Sequence, residues 1–245
     1  MKILVVCDVL GEKNNGTVVA ALNLINYLKE KGEDVTILCA DPSKKGKRGY
    51  FVVPNLYLGQ LAKHVLEKNG VALARPSRKT IEKALEGVDV CHIMLPFALG
   101  RRTLKIARKK HIPVTAGFHC QAENITSHLG VMDDKIINHL IYRNFWKHFY
   151  NRVNAIHYPT EFIHSVFEKE IHEKTNAFVI SNGVNDVYQY EKIKERAPSL
   201  NKGFNILSIG RYCREKSQYL LIDAIALSKH KNEIQLVLAG KGPDK

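Results

Sequence analysis

Short apolar runs alternate with amphipathic segments along the chain, and this alternation limits the fold more than any other feature. The first run covers residues 3–7, an amphipathic segment covers 17–31, and the next run covers 35–39. In the amphipathic segment the apolar residues recur at helical spacing, and Gly32 follows as a residue able to take a left-handed cap. Strands that alternate with helices predict parallel βαβ units, and therefore an α/β fold.

The same alternation continues to residue 180. It predicts further strands at residues 88–95, 113–118, 155–158 and 177–180, and helices at 77–86, at 98–111 and after Thr160. Between residues 185 and 203 the apolar periodicity fades and Pro198 interrupts the chain, which is typical of an interdomain linker.

A second α/β unit begins after this linker. It consists of a strand at 204–209, a helix at 217–230 and a strand at 234–239, and we expect Leu220, Leu221, Ala224 and Leu227 to face inward. A parallel sheet needs both faces covered, so one helix and two strands do not complete a core. The sequence predicts a complete N-terminal doubly wound domain over 1–184, a linker over 185–203 and an incomplete second domain over 204–245.

Charge and cysteine content narrow the class of protein. The net charge is +13, mostly from residues before 200, which favours a phosphorylated substrate, an anionic membrane face or nucleic acid. The five cysteines form no C-x-x-C pair, so we expect free thiols in a reducing cytoplasm and no metal site. No apolar run approaches the ~18 residues of a membrane span.

The loop after the first strand is a candidate anion site. Residues 11–17 have the G-x4-G spacing of a Walker A loop but lack its Lys, and they also fail G-x-G-x-x-G. Gly16 and Thr17 therefore open a helix whose N–H groups favour an anion or a sugar hydroxyl, or they form a simple tight turn.

His119 is the histidine that the pattern singles out. It directly follows the strand predicted at 113–118, and ligands in open α/β sheets lie beyond the carboxyl ends of strands. Glu123 is either its partner or a solvated loop charge. His92 and His157 lie within strand runs, so we interpret them as core or edge residues.

Three further segments carry charge. Arg211 and Lys216 lie between a predicted strand and a predicted helix. Two cations at such a position can neutralise a diphosphate; the alternative interpretation is an ordinary charged loop. Basic clusters occupy residues 44–48 and the helix predicted at 98–111, and each is either a membrane-docking surface or a solvated face. On the helix, we expect four residues to face the acceptor or the membrane: Arg101, Arg102, Lys105 and Lys109. The aromatic-rich stretch 136–153 is interpreted mainly as core.

Several motifs in order resemble family 4 glycosyltransferases of the GT-B fold. Residues 15–17 resemble the glycine-rich loop, with Thr17 in place of its second Gly, and residues 181–185 are similar to P-N-G-V-D. Residues 210–216 match G-R-x3-E-K, and residues 240–243 match the G-x-G-P turn. The run Gly-Phe-His-Cys-Gln-Ala-Glu-Asn at 117–124 resembles the diacylglycerol glucosyltransferase branch.

This resemblance implies a hexosyltransferase that uses a UDP- or GDP-sugar, retains the anomeric configuration and needs no metal or cofactor. His119 would be the active-site histidine, and Gly16, Thr17, Arg211 and Lys216 would bind the sugar donor. The acceptor would be a lipid such as diacylglycerol or a glycan, and the protein would be cytoplasmic or docked on the inner face of the cell membrane. The E-x7-E element of the family would lie beyond Lys245, so we expect the 245 residues alone to be inactive.

A second hypothesis is a non-catalytic module derived from a glycosyltransferase, which binds a membrane or a partner through its basic face. Nucleic-acid binding has no helix-turn-helix, RNP or zinc pattern in its favour.

Overall fold

The structure, a computed structural model, describes residues 1–8, 10, 16–56, 73–184 and 203–242. The chain divides into two compact units, Met1–Asn185 and Asp186–Lys245. Apart from Gly203, the predicted linker lies outside the described residues, as do residues 11–15 of the first loop.

The first unit is built on a seven-stranded parallel sheet, which confirms the predicted α/β class. The strand order is β3-β2-β1-β4-β5-β6-β7, and each pairing between these seven strands is parallel. The order reverses between β1 and β4, so the sheet has a topological switch point at that place. The strands are β1 (Lys2–Cys7), β2 (Asp34–Cys39), β3 (Tyr50–Val52), β4 (Val90–Ile93), β5 (Val114–Gly117), β6 (Ala155–Tyr158) and β7 (Ala177–Val179).

Helices connect these strands, and side-chain caps mark where several of them begin. Ser77 accepts a hydrogen bond from the N–H of Thr80, and Thr160 accepts one from the N–H of Ile163, as Ser and Thr do at an N-cap. The α-helices among the described residues of this unit are α1 (Gly16–Glu30), α2 (Arg78–Ala84), α3 (Ala98–Lys109), α4 (Ala122–Thr126), α5 (Lys135–His148) and α6 (Glu161–Ile171).

Both faces of the sheet are covered, as a doubly wound fold requires. Alternate residues of β1 enter different cores: Val5 packs in the cluster that contains Ala21 of α1, whereas Leu4 packs in the cluster that contains Ile81 and Leu104. Strand side chains alternate between faces, so a run that is apolar at every position becomes buried on both sides.

Some short elements of the first unit were not predicted. β3 is three residues long and α4 is five, and both are too short to show a clear apolar period. The stretch 136–153 proved mixed, because Tyr142, Phe145 and Phe149 are buried while Leu140, expected in the core, is 61% exposed.

The second unit contains β8 (Phe204–Ile209) and β9 (Ile234–Ala239), which pair in parallel, and the helix α7 (Gln218–Leu227). The expectation that one face of α7 points inward is wrong for three of its four residues: Leu220 is 55% and Leu227 is 86% exposed, and Ala224 is exposed as well, whereas Leu221 is half-buried. Two described strands and one described helix offer too little apolar surface to cover that face.

Candidate functional site

The candidate site of the first unit lies where β4, β5 and β6 end and α1 begins. His119 follows β5 by two residues, and Thr17 is the second residue of α1. The Thr17 hydroxyl donates a hydrogen bond to the backbone carbonyl of His119 at 3.4 Å. The fold therefore brings together two predicted site residues that are 102 positions apart in the chain. Gly16, the third predicted residue here, is the exposed first residue of α1.

Gly117, the last residue of β5, gives the His119 side chain its position. A Cβ atom at residue 117 would overlap the His119 ring, with Cδ2 at 2.5 Å and Nε2 closer still. The ring therefore folds back over the end of its own strand, in space that any larger residue would fill. A glycine at this position is required by the close approach of a side chain rather than by an unusual backbone angle.

Two more histidines lie beside His119. His92 stands in β4 opposite Thr115, and His157 stands in β6 opposite Gly117. One ring nitrogen from each of the three histidines lies within 4.8 Å of the others, and we call these residues the histidine cluster. The rings of His119 and His157 meet edge-on, with centroids 5.6 Å apart.

The three rings share the sheet face that α1 covers. The neighbours of His92 in β4, Cys91 and Ile93, and those of His157 in β6, Ile156 and Tyr158, enter the opposite core. The interpretation of His92 and His157 as plain core or edge residues therefore missed their contact with His119. The sequence signal for this contact is weak: each of the two histidines is the third residue of a four-residue strand. That shared position predicts a contact only when the strands are known to lie on either side of β5.

Hydrogen bonds orient two of the three rings. Nδ1 of His92 lies 2.9 Å from the hydroxyl oxygen of Thr115. Nε2 of His157 lies 2.6 Å from the carbonyl oxygen of Ile180, and because a carbonyl only accepts, this nitrogen carries the proton. Nε2 of His92 and Nε2 of His119 are buried and have no hydrogen-bond partner within the described part of the chain.

Burial keeps two of these rings neutral. Loss of solvent, with a smaller contribution from His157, lowers the pKa of His92 to about 4. Loss of solvent, followed by the nearby His92 and His157, lowers the pKa of His119 to about 3. A neutral imidazole offers one N–H donor and one nitrogen lone pair, so His119 can hydrogen-bond a hydroxyl without adding charge.

The other side of β5 rests on a packed aromatic group. The ring of Phe118 lies 4.5 Å from that of Phe167 and 5.2 Å from that of Tyr150, centroid to centroid. The hydroxyl of Tyr150 donates to the carbonyl oxygen of Gly117 at 3.1 Å. Well-packed rings and a buried hydrogen bond fix the strand end that carries His119.

Glu123 has a different partner from the one considered. Its carboxylate accepts a hydrogen bond of 2.5 Å from the hydroxyl of Tyr142. Burial, and next this hydrogen bond, raise the pKa of the Tyr142 hydroxyl. Among the described contacts none joins Glu123 to His119, so Glu123 ties α4 to α5 instead.

A buried carboxyl group lies at the switch point of the sheet. Asp8 follows β1 directly and is 2% exposed. Burial raises its pKa to about 7, although backbone hydrogen bonds from Ala74, Asp8 itself and Leu99 oppose the shift. Its Oδ1 has no partner within the described residues. A carboxylate immediately after an apolar strand is a sequence signal for such a position, and it is absent from the site residues predicted above.

The basic residues of α3 do not share one environment. Arg102, Lys105 and Lys109 are exposed, whereas Arg101 is half-buried. Nε of Arg101 donates to the carbonyl oxygen of Pro96 at 2.8 Å, and its Nη2 donates to Asn144 of α5 at 2.6 Å. Arg101 thus joins α3 to α5, and three of the four predicted residues form an exposed basic face.

The second unit holds the predicted diphosphate ligands in the turn after β8. Arg211 and Glu215 form an ion pair of 2.8 Å that is partly buried, and Lys216 is exposed. The amide nitrogen of Gln218 donates to the backbone carbonyl of Arg211 at 2.7 Å. The guanidinium group is therefore held in place by its own turn.

Two further features concern the cysteines and the helices. None of the five cysteines, all of which lie in the described part of the chain, forms a disulfide bond; three are buried and two are half-buried. Among the described residues, no helix is both long enough and apolar enough to cross a membrane.

Known proteins share parts of this sequence and of this fold. The sequence profile of Glycosyltransferase Family 4 matches residues 14–187. The structure is similar to HepE of Anabaena in complex with UDP, with 17% identity, a TM-score of 0.60, and coverage of 99% of this chain and 62% of that chain. For HepE in complex with UDP-glucose these values are 18%, 0.57, 98% and 61%.

The structure is also similar to an α-glucosyltransferase in complex with UDP and a 13-mer DNA containing an HMU base. Here the identity is 16% and the TM-score is 0.53, with 98% of this chain and 57% of that chain covered. None of the curated proteins compared with the chain matches it. The chain spans about 60% of the length of these solved structures, and identities this low show the fold alone.

The family match covers most of the chain and includes the whole histidine cluster, and the sheet is that of the solved relatives. The chain belongs to Glycosyltransferase Family 4 and has the α/β architecture of GT-B glycosyltransferases.

Proposed function

We propose that the protein transfers a sugar from a UDP- or GDP-sugar to a hydroxyl group of a lipid or glycan acceptor, with retention of the anomeric configuration. Family membership supports sugar transfer in general, and the HepE and α-glucosyltransferase structures contain UDP or UDP-glucose. The observation that carries the proposal is the position of His119 against Thr17, at the sheet edge where α/β proteins bind ligands.

His119 orients the transferred sugar in this proposal. Its ring is neutral at pH 7 and is held by Gly117 below and His157 beside it. A ring that is already fixed in this way loses little side-chain entropy when it forms a hydrogen bond with a sugar hydroxyl. Gly16 and Thr17 place the first N–H groups of α1 next to it, where a phosphate or a sugar hydroxyl finds donors.

Arg211 and Lys216 neutralise the diphosphate that leaves when the sugar is transferred. Negative charge grows on this group in the transition state, so cations already aimed at it lower the barrier. The ion pair with Glu215 explains the acidic residue of the G-R-x3-E-K motif, because it fixes the guanidinium before the sugar donor arrives. Lys216 lies in the same turn and adds an exposed positive point charge.

We infer a lipid acceptor from the surface formed by α3 and α5. Ile136 and Leu140 of α5 are 74% and 61% exposed, and an open groove of about 510 Å³ lies beside Leu140, Arg143 and Lys147. Arg101 links this helix to the basic face of α3. Apolar side chains beside lysines and arginines match the interface of an anionic membrane, which is where an enzyme would meet a diacylglycerol-type acceptor.

The test uses the complete enzyme that contains these 245 residues, because the chain spans about 60% of the length of the solved structures it resembles. We expect it to release UDP or GDP from the matching sugar donor, and the 245 residues alone to be inactive. Arg211→Ala and Lys216→Ala should each lower kcat by about 10²–10³-fold, as loss of one transition-state contact does. Arg214→Ala, from the same exposed turn, is the matched control and should stay within about threefold. If Arg211→Ala and Lys216→Ala have the same kcat as the Arg214→Ala control, the diphosphate role is contradicted.

The alternative, a non-catalytic module that binds a membrane, is favoured by the same basic face. It would bind anionic vesicles and show no sugar transfer even in the complete protein. Transfer activity that depends on Arg211 would exclude it.

A further inference from the structure

The histidine cluster brings three imidazoles to one point, and nothing in the sugar-transfer chemistry above requires more than His119. His92, His119 and His157 come from three neighbouring segments of the sheet edge, and one ring nitrogen of each lies within 4.8 Å of the others. Within the described residues, this is the group of three or more His, Cys, Asp and Glu side chains whose geometry suits a metal ion.

Hydrogen bonds at one nitrogen of His92 and at one nitrogen of His157 leave the other nitrogen of each ring available as a ligand. His157 uses Nε2 to donate to the carbonyl of Ile180, so its Nδ1 is the unprotonated nitrogen. His92 has its Nδ1 at the hydroxyl of Thr115, which leaves Nε2 buried without a partner. His119 likewise has a buried Nε2 without a partner in the described chain. In metal sites, a second-shell oxygen commonly fixes the far nitrogen of each histidine ligand in this way.

We propose that the histidine cluster is a binding site for a divalent transition-metal ion of the Zn²⁺ type, held by one nitrogen of each of His92, His119 and His157. Three imidazoles with an open fourth position form a known zinc environment. With Zn–N bonds of about 2.0–2.1 Å at tetrahedral angles, ligand nitrogens lie about 3.4 Å apart. Because the three nitrogens lie within 4.8 Å of one another, the rings need to converge by at most about 1.4 Å, which rotation about the side-chain bonds supplies.

The surroundings distinguish this cluster from chance contact between core residues. Two buried imidazole nitrogens without partners are costly in an apolar interior, and a metal ion would satisfy both at once. The aromatic base under β5 and the cross-strand register hold the three attachment points in place before any ion binds. The inference differs from the expectation, drawn from the absence of clustered ligands in the sequence, that the chain has no metal site.

Metal binding would also affect His119 as a sugar ligand. A ring nitrogen that coordinates Zn²⁺ has no lone pair left for a hydrogen bond from a hydroxyl group. If the proposed sugar transfer is right, Zn²⁺ should inhibit it reversibly. The metal site itself does not depend on that function, since metal binding is measured without a sugar donor.

The experiment titrates untagged protein, reduced and freed of metal by a chelator, with Zn²⁺ in a calorimeter and with Co²⁺ followed by visible absorption. We expect one ion bound per chain, with the strong visible bands of tetrahedral Co²⁺. His92→Gln and His157→Gln should each weaken binding by more than about 100-fold, since second-shell changes alone cost 10–100-fold. The exposed His148→Gln is the matched control and should change affinity by less than about threefold.

Thr115→Val provides a second variant in case a histidine substitution prevents folding. It removes the hydroxyl oxygen at Nδ1 of His92 and keeps all three ligands, so we expect affinity to fall by about 10–100-fold with the same Co²⁺ spectrum. Absence of one-to-one binding by the wild type would overturn the proposal. Binding that His92→Gln and Thr115→Val both leave unchanged would overturn it as well, because the ion would then occupy another site.

Discussion

Replacing Asp8 by Asn should stabilise the protein, and the gain should grow with pH. Asp8 is almost fully buried, and desolvation raises the pKa of its carboxyl group to about 7 in the folded state from 3.8. Asn has nearly the same shape and carries no charge at any pH in this range. The substitution therefore removes the titration and leaves the packing.

The sign follows from which state holds the proton. Between pH 3.8 and about 7 the folded protein keeps the Asp8 proton that the unfolded chain has lost. Stability from this group is present at low pH and is lost as pH rises through that window, by about 1.4 kcal/mol per pH unit. At pH 8 the wild type should have lost about 4 kcal/mol relative to pH 4, whereas the Asn variant loses nothing at this position.

Urea unfolding of both proteins at pH 5 and pH 8 measures the difference. We expect the gain of Asp8→Asn at pH 8 to exceed its gain at pH 5 by about 3 kcal/mol, or a difference in Tm on the order of 10 °C. Other titrating groups are common to both proteins and cancel in this double difference. The exposed Glu86→Gln is the control and should show the same gain or loss at both pH values. An equal gain for Asp8→Asn at pH 5 and pH 8 would refute the desolvation account.

Two further predictions concern the site and its surface. Gly117→Ala should displace the His119 ring by about 1 Å, because the new Cβ atom would overlap it. If the ring stays buried, thermal unfolding should show a destabilisation of about 1–3 kcal/mol. If the ring moves into solvent, its pKa measured by NMR should rise from about 3 toward 6.5. Gly16→Ala, with open space around the new Cβ, should do neither; a Gly117→Ala protein with unchanged Tm and ring titration would contradict the steric role. Changing Arg102, Lys105 and Lys109 together to Gln should weaken co-sedimentation with anionic vesicles by about 100-fold at 0.1 M salt, at roughly 1 kcal/mol per charge. Equal sedimentation of the variant and the wild type would remove the basic face from the membrane proposal.

Local sequence patterns determined the fold class and most element positions. The strands at Ala155–Tyr158, Phe204–Ile209 and Ile234–Ala239 have the predicted bounds, and Ser77 and Thr160 cap the helices they were expected to begin. These features depend on apolar periodicity and on hydrogen bonds that span three or four residues. Such short-range physics is fully present in the order of the amino acids.

Exposure and pairing were predicted less well. The sequence could not tell that Leu140 and Leu227 would face solvent, that Arg101 would bind Asn144, or that Glu123 would bind Tyr142. Periodicity shows that a helix has an apolar face, but it does not show which other elements will cover that face. A polar side chain likewise finds its partner only after distant segments have packed.

The candidate site shows this division most clearly. The sequence by itself singled out His119 and Thr17 as candidates, because each stands next to a strand end or a helix start. Only the tertiary structure placed His92 and His157 beside His119, since contact between them depends on β4, β5 and β6 being neighbours in register. Strand order results from long-range packing of whole βαβ units, and a residue's immediate neighbours in the chain carry no record of it.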